Sequence, residues 1–351
     1  MNSTMSLQDW TDRLAERPEV FPHNLDLLND NLLLVELSAD EVSAASFLDQ
    51  RVLKQTTKGT WIAWPLVAEI FEKVTVEKPA AHIFHVGHCG STLLTRLLQF
   101  ADGTQCLREP LPLRVLAQDF ADAADGRSFL SPQSRLERLR TLSKMWSRGA
   151  EHTVIKATSI CTDLLPHIHS IVPGSRSVFV FNRPESHIAT LLAGENALID
   201  LKGFARLRLQ RLQQQTGLDI ELNQLSLGQL AALSWLSETS SVTQSLEAYP
   251  EHIEELEFET FLSDPTDSLS RLLQFLQIPA DDETIEEAVR SPVMQTYSKA
   301  PDVQYNAQTR AAILADSRAR FGKEITEALA WIEDLARQSD LVAASLQKFS
   351  E

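Results

Sequence analysis

The residues of this sequence that could do chemistry begin with a glycine-bearing segment around residue 90. Residues 85–94 read HVGHCGSTLL and lie between an apolar run and a leucine-rich run. Gly87 and Gly90 let backbone amides approach an anion without an intervening side chain. The hydroxyls of Ser91 and Thr92 add donors, and a helix beginning there would turn the positive end of its dipole toward the same point. The segment therefore predicts a loop that binds phosphate oxygens.

Strands that alternate with helices are predicted to hold this loop. Apolar runs indicate strands at residues 81–86, 104–107, 152–157, 175–182 and 253–260. Leucine-rich patterns indicate helices at residues 91–100, 131–147, 185–193, 203–215, 227–247 and 266–277. Strands spaced by helices predict an α/β fold with a central parallel sheet that is covered on both faces.

The two ends of the chain differ from this core. Residues 1–78 are predicted to form a small α+β accessory unit, which serves for packing or as a lid. Its expected elements are a strand at 32–37 and helices at 39–48 and 61–71. The core is expected to span 79–290, and residues 291–351 to form a helical tail. The tail is expected to open with a loop at 291–305 and to continue as two helical runs split near Gly322.

Composition and charge exclude several classes of protein. The chain has 351 residues, 43% of them hydrophobic, and a formal net charge of −16. This composition is globular, and the acidic balance argues against a nucleic-acid partner, because phosphate backbones favour basic surfaces. Residues 81–150 differ, with nine Lys or Arg against six Asp or Glu. An anionic ligand is therefore expected near this region.

Cysteine usage and hydropathy indicate a soluble, cytoplasmic protein. Cys89, Cys106 and Cys161 are odd in number and lack metal-ligand spacing, so neither a disulfide framework nor a metal site is predicted. The longest apolar runs have the length of strands and fall short of the about 20 residues that span a membrane. The N-terminus shows no signal-peptide pattern, and no membrane partner is expected. The sequence leaves the oligomeric state open.

A nucleoside triphosphate is disfavoured as the ligand of the loop. An ATP-binding loop at this spacing would need glycine at position 85 and lysine at position 91, where this chain has His85 and Ser91. A kinase or NTPase would therefore need a lysine from elsewhere, and Lys156 is the nearby candidate. This alternative stays open.

The same residues resemble a different phosphate loop, that of the sulfotransferases that use 3′-phosphoadenosine 5′-phosphosulfate (PAPS). Their pattern is G-x-x-[RK]-[ST]-G-[ST]-T-x-L, and Gly90, Ser91, Thr92 and Leu94 match it. Cys89 replaces a hydroxyl residue. Two further segments resemble the family in the expected order: residues 177–190 (SVFVFNRPESHIAT) and residues 259–276, which begin with ETFLSDP.

The resemblance implies a divergent member with a three-layer P-loop fold that binds PAPS and needs no metal. Arg183 and Thr190 would then hold the 3′-phosphate, with Asn182 where the family has its arginine. A basic tail segment closes over this phosphate in the family, which points to Lys299. The phosphosulfate would lie on the loop, which assigns Gly87, Cys89, Gly90, Ser91 and Thr92 to the cofactor.

The resemblance also suggests which residues catalyse the transfer. Glu109 follows the second strand, in the position of the catalytic glutamate of the tyrosylprotein branch, and is the candidate general base. His88 stands at the position of the basic loop residue, and is the candidate to stabilise the leaving group together with the Gly90 and Ser91 amides. The acceptor would be a hydroxyl of a small molecule or a peptide. An ordinary surface pair of Glu109 with Arg108 is the alternative for this carboxylate.

For several other residues, the sequence supports a structural role at least as well as a role in the site. His85 and Trp235 are expected in the core, and Arg96 on the surface. Lys156 would reach the sulfate or be solvated at its strand end. The helix with Arg206, Arg208 and Arg211 would meet a phosphate or an acidic acceptor, or be an ordinary surface helix. A non-catalytic nucleotide-binding protein on a degenerate sulfotransferase fold also stays open.

Overall fold

The computed structural model describes residues 6–76, 78–194, 197–297 and 300–350. The predicted cofactor residue Lys299 lies outside the described residues.

Three antiparallel strands and three helices form the N-terminal part of the chain. The strands, which pair in the order β1-β2-β3, are β1 (Val20–Asp26), β2 (Asn31–Glu36) and β3 (Gly59–Ala63). The helices are α1 (Leu7–Leu14), α2 (Ala39–Ala44) and α3 (Trp64–Glu72).

Two of the predicted N-terminal helices differ in length from those observed. The helix expected over residues 39–48 ends at Ala44, because Ala45 is extended and its carbonyl accepts a hydrogen bond from Arg108. The helix expected over residues 61–71 begins only at Trp64, because the preceding residues pair with β2 as a strand. The strand predicted at 32–37 is observed one residue earlier.

A five-stranded parallel sheet lies at the centre of the molecule, as predicted. Its strands are β4 (Ala81–His85), β5 (Thr104–Arg108), β6 (His152–Lys156), β7 (Ser177–Phe181) and β8 (Ile253–Glu257). Their order across the sheet is β5-β6-β4-β7-β8. The chain after β4 moves to one side of the sheet and the chain after β7 to the other, so the crevice between the two strands is a topological switch point, where ligands of α/β folds bind.

Helices enclose this sheet. In chain order they are α4 (Ser91–Leu98), α5 (Leu111–Ala123), α6 (Pro132–Trp146), α7 (Leu165–Ile171), α8 (Pro184–Ala193), α9 (Ala197–Thr216), α10 (Leu227–Ala248), α11 (Phe258–Ser263), α12 (Pro265–Leu276) and α13 (Asp282–Arg290). The strand predicted to reach Thr260 ends at Glu257 instead. The next residues form α11, in which Phe258 and Phe261, three apart, are both buried.

The tail contains a strand pair and two helices. Strands β9 (Thr296–Tyr297) and β10 (Ala300–Gln304) pair antiparallel, where a loop was predicted. They are followed by α14 (Ala307–Ala336) and α15 (Asp340–Ser350). The predicted split near Gly322 is confirmed, because α14 has a kink at Phe321. Across the described residues, no helix combines the length and apolar character that a membrane crossing requires.

Two arginines on α9, for which the sequence left open a phosphate, an acidic acceptor or the surface, are buried. Arg208 and Arg211 lie three residues apart, on one helix face, and both reach Glu238, which is fully buried on α10. The Arg211 Nη1 atom lies 2.7 Å from Glu238 Oε2, and Arg208 Nε lies 3.5 Å from Oε1. These charges join two helices inside the molecule.

Removing the charge of Glu238 should therefore destabilise the fold strongly. We expect Glu238→Gln to lower the free energy of unfolding by about 3 kcal/mol, because two buried guanidinium groups lose the carboxylate that they share, although Asp200 and Asp163 still lie near them. Glu286→Gln is the control, since its partner Arg290 forms an exposed pair on one helix, and it should cost less than about 0.5 kcal/mol. Urea unfolding measures both, and equal losses would contradict the buried network.

Candidate functional site

The loop between β4 and α4 turns through left-handed backbone conformations. Gly87 has φ 88°, His88 has φ 52° and Gly90 has φ 75°. Gly90 is the N-cap of α4, and no side chain caps this end. The amides of the first helical turn thus have no side-chain acceptor at the cap, and they lie where the helix dipole is positive.

Gly90 is required by a close neighbour as well as by its backbone angle. A Cβ atom at this position would lie 2.0 Å from the Phe258 Cε2 atom. The Phe258 ring therefore packs directly on the loop backbone. Only glycine allows this contact and the left-handed angle together.

Two of the predicted loop ligands are directed away from an anion. The Gly87 N–H donates to His85 Nδ1 at 2.9 Å, so the other ring nitrogen, Nε2, carries the proton and donates to the Ala157 carbonyl at 3.0 Å. This confirms His85 as a buried structural histidine. The Gly87 amide already donates to this histidine and is therefore not directed at an anion. The Cys89 thiol donates to the Val180 carbonyl at 3.2 Å, so Cys89 can meet a ligand only through its backbone.

A cavity of about 260 Å³ opens beside the loop. Residues 88–93 form one wall, and Thr190 and Gly194 at the end of α8 contribute to another. Phe258 and the tail residue Tyr305 add aromatic surface. The cavity thus combines polar groups of the loop with an apolar slot between α11 and the tail, a combination that suits a nucleotide.

Two threonines place hydroxyls at this cavity. Thr92 is 3% exposed, and its Oγ1 atom is buried with no hydrogen-bond partner among the described residues. A buried hydroxyl without a partner is costly, so this atom fits a ligand oxygen. The Thr190 hydroxyl donates to the Ser186 carbonyl at 2.7 Å, which leaves it the role of an acceptor.

A buried arginine from the tail lies beside Asn182, the uncharged residue at the position of the family's arginine. The sequence did not single this arginine out. Arg310 on α14 lines the cavity and is 5% exposed. Its Nη2 atom lies 3.3 Å from Asn182 Oδ1 and 2.7 Å from Glu259 Oε1. Asn182 in turn donates to the His88 carbonyl at 3.4 Å. A guanidinium 128 residues further along the chain thus lies next to Asn182, the position at which the family that the sequence resembles has an arginine.

Arg183, the predicted phosphate ligand, lies elsewhere. Its side chain is 50% exposed, and its Nε atom lies 2.7 Å from Glu257 Oε1. It is not among the residues that line the cavity. The structure brings Thr190 and Arg310 to the loop, and leaves Arg183 at the surface.

Glu109 and Lys156 form an ion pair on the other side of the loop. Lys156 is fully buried and donates to Glu109 Oε1, and the Glu109 amide donates to the Lys156 carbonyl at 2.7 Å. Glu109 has φ 55°, a left-handed angle that is uncommon outside glycine. The alternative pairing of Glu109 with Arg108 is wrong, because Arg108 is buried and bonds to α4 and the N-terminal segment.

Several basic side chains lie near His187, a buried residue of α8. Burial holds the pKa of His187 well below its usual value, and the charges of His88, Arg208 and Arg310 lower it further. Within the described residues, no group of three His, Cys, Asp or Glu side chains could hold a metal ion.

Comparisons with known proteins gave matches only among solved structures. No protein-family model and no curated protein matches the chain. Sulfotransferase STF9 from Mycobacterium avium is 11% identical with a TM-score of 0.42, covering 92% of this chain and 98% of that one. The sulfotransferase from Alicyclobacillus acidocaldarius is 14% identical with a TM-score of 0.37, covering 72% and 97%. Mouse sulfotransferase SULT7A1, complexed with PAP, is 11% identical with a TM-score of 0.42, covering 83% and 97%.

The contact of Gly90 with Phe258 gives a testable requirement. Gly90→Ala should destabilise the protein by about 3 kcal/mol, because a left-handed angle is strained for alanine and the methyl group also displaces the ring. Gly126→Ala is the matched control: Gly126 has φ 69°, and a Cβ there meets nothing within 4 Å. It should lose only about 1 kcal/mol. Urea unfolding that gives equal losses would rule out the close contact.

Proposed function

We propose that this protein is a sulfotransferase, which moves a sulfuryl group from PAPS to a hydroxyl of a small-molecule or peptide acceptor without a metal ion. The observation that carries the proposal is one cavity that combines three features. They are the uncapped N-terminus of α4, the partnerless buried hydroxyl of Thr92, and the buried Arg310. The loop has no lysine, so its donors suit a phosphate held by amides and hydroxyls.

The residues present fit the two phosphates of the donor. The amides of Gly90 and Ser91 and the Thr92 hydroxyl would hold the 5′ end. Arg310 would hold the 3′-phosphate in the role first assigned to Arg183, and Thr190 would line the cavity beside it. Glu259 now accepts a hydrogen bond from Arg310, so the guanidinium is already oriented by a carboxylate. Lys299 stays a further prediction for this phosphate.

The order of strands separates Glu109 from the cavity. Glu109 follows β5, while the cavity is bounded by residues that follow β4, β7 and β8. Because neighbouring strands lie about 4.8 Å apart, β5 and β4 are separated by about 10 Å. A donor bound in the cavity and the Glu109 base would therefore lie on opposite sides of the loop, and the acceptor would approach the sulfuryl group from the side of Glu109.

In this mechanism the protein moves one proton and stabilises one developing charge. PAPS supplies the activated sulfuryl group when it is bound. The proton of the acceptor hydroxyl would move to the Glu109 carboxylate, which the Lys156 ammonium holds in place through Oε1. His88 and the amides of Gly90 and Ser91 would donate hydrogen bonds to the 5′-phosphate oxygen as charge develops there.

The kinase or NTPase alternative finds less support at this site. Lys156, the lysine that it needs, is fully buried and paired with Glu109. A thermal-shift screen that compares ATP plus Mg²⁺ with adenosine 3′,5′-bisphosphate separates the two proposed reactions. Stabilisation by ATP and Mg²⁺ alone would favour phosphoryl transfer over the proposed reaction.

The two phosphate subsites can be separated with two nucleotides. Adenosine 3′,5′-bisphosphate and AMP differ only in the 3′-phosphate. Arg310→Met should weaken the bisphosphate by about 10–100-fold and leave AMP within about 2-fold, because a charge-assisted hydrogen bond contributes about 1.5–3 kcal/mol. Thr92→Val should weaken both nucleotides by about 10-fold. Calorimetry in EDTA measures these affinities.

The control for Arg310 lies on the same helix. Arg318 pairs with Glu185 at the surface, with Nε 2.6 Å from Oε1, and does not line the cavity. Arg318→Met should leave both affinities within about 2-fold. Equal losses for the two nucleotides in Arg310→Met would contradict the assignment of this residue to the 3′-phosphate.

The role of Glu109 can be tested separately from binding. Glu109→Gln should bind adenosine 3′,5′-bisphosphate within about 2-fold of wild type and lose about 10²–10⁴-fold in PAPS turnover, as expected for a general base. Turnover is measured as bisphosphate release with a panel of phenols, alcohols, sugars and peptides. Near-normal turnover in the variant would eliminate Glu109 as the base. Tight binding by wild type with no turnover on any acceptor would instead assign a non-catalytic nucleotide-binding function.

A further inference from the structure

The turn that carries Glu109 is held from both sides by the N-terminal part of the chain. The Leu48 amide donates to the Arg108 carbonyl at 2.7 Å, and the Leu111 amide donates to the Leu48 carbonyl at 3.3 Å. Leu48 thus bridges the residue before Glu109 and the first residue of α5. A non-glycine residue in a left-handed conformation costs about 1–2 kcal/mol, so Glu109 keeps its φ of 55° only where neighbouring bonds fix it.

The Arg108 side chain continues this connection below the turn. It is fully buried, and its Nη1 atom donates to the carbonyls of Ser43 and Ala45 at 2.8 and 2.9 Å. These carbonyls belong to the last turn and the C-cap of α2. A guanidinium carries five N–H donors in a fixed fork, and here part of that fork holds the end of an N-terminal helix.

The other part of the same guanidinium reaches the phosphate loop. Arg108 Nε donates to Thr95 Oγ1 at 2.8 Å, and that hydroxyl donates to the Thr92 carbonyl at 2.8 Å. Arg108 also donates to the side chain of Gln99, just after α4. The acceptors that the described residues offer to Arg108 are all neutral oxygens. Burial lowers the pKa of Arg108 to about 10, so the group remains charged at neutral pH.

We infer that Arg108 is a positioning residue that joins the N-terminal unit, the phosphate-loop helix and the Glu109 turn. The inference rests on the proposed function, and it assigns to residues 6–76 a part in catalysis: they hold the base at a fixed distance from the loop. A packing unit alone would need apolar contact with the core. This unit makes such contact, with Phe21, Trp64 and Phe71 in the common hydrophobic core, and it also contributes three backbone carbonyls and one amide to the residues that flank Glu109.

The test compares substitutions at two arginines in the full chain. Arg108→Met should lower PAPS turnover by about 10–100-fold, because a misplacement of about 1 Å has effects of this size. Its affinity for adenosine 3′,5′-bisphosphate should stay within about 3-fold of wild type. This split between turnover and binding is the decisive readout, since a merely structural defect lowers both together.

Arg96→Met is the matched control. Arg96 also joins α4 to the N-terminal segment, with Nη2 3.0 Å from Ser46 Oγ, but it does so from the helix and not from the strand that leads to Glu109. Its turnover should stay within about 3-fold of wild type. A loss in Arg96→Met equal to that in Arg108→Met would overturn the specific role of Arg108.

A second variant covers the case in which Arg108→Met does not fold. Thr95→Val removes one acceptor of Arg108 and should lower turnover by about 3–10-fold with unchanged bisphosphate affinity. Unchanged turnover in this variant would refute the inference.

Two further results keep the inference separate from the proposed function. If the wild-type chain turns over PAPS and Arg108→Met does so at a similar rate, the positioning role alone is overturned. If the wild-type chain neither binds the bisphosphate nor releases it from PAPS, the proposed function fails and the positioning role fails with it.

Discussion

The packing of Phe258 on the backbone of Gly90 is the constraint on which the rest of the site depends. It requires a glycine where β4 passes into α4. The chain reverses direction there through left-handed angles at residues 87, 88 and 90. The reversal leaves the first turn of α4 without a side-chain cap. Phe258 also lines the cavity, so a single contact shapes both the anion-binding amides and the wall beside them.

Charge at the site is assembled from distant segments. Arg310 comes from the tail, Lys156 from β6 and Arg108 from β5, and each is buried with oxygen partners on other elements. Buried cations of this kind are retained only where hydrogen bonds replace their hydration. The chain has a net charge of −16, and two of these three buried cations, Lys156 and Arg310, are themselves paired with carboxylates.

The sequence predicted the parts of this arrangement that are local. The parallel sheet, the loop, the buried His85 and the kink near Gly322 each have a signature within a few residues. Arg310 has none, because its approach to Asn182 depends on how α14 packs over a distance of 128 residues. The pairing of Glu109 with Lys156 depends on the order of strands, since β6 is the neighbour of β5. Sequence proximity suggested Arg108 instead, whose side chain leaves the strand toward α4.

The most direct test of the central claim is a crystal structure with adenosine 3′,5′-bisphosphate, grown in EDTA. We expect the 5′-phosphate oxygens to accept hydrogen bonds from the amides of residues 90–92 and from Thr92 Oγ1, with no metal ion beside them. The 3′-phosphate should lie against Arg310. A nucleotide bound away from the loop, or a 5′-phosphate that contacts neither these amides nor the Thr92 hydroxyl, would contradict the account.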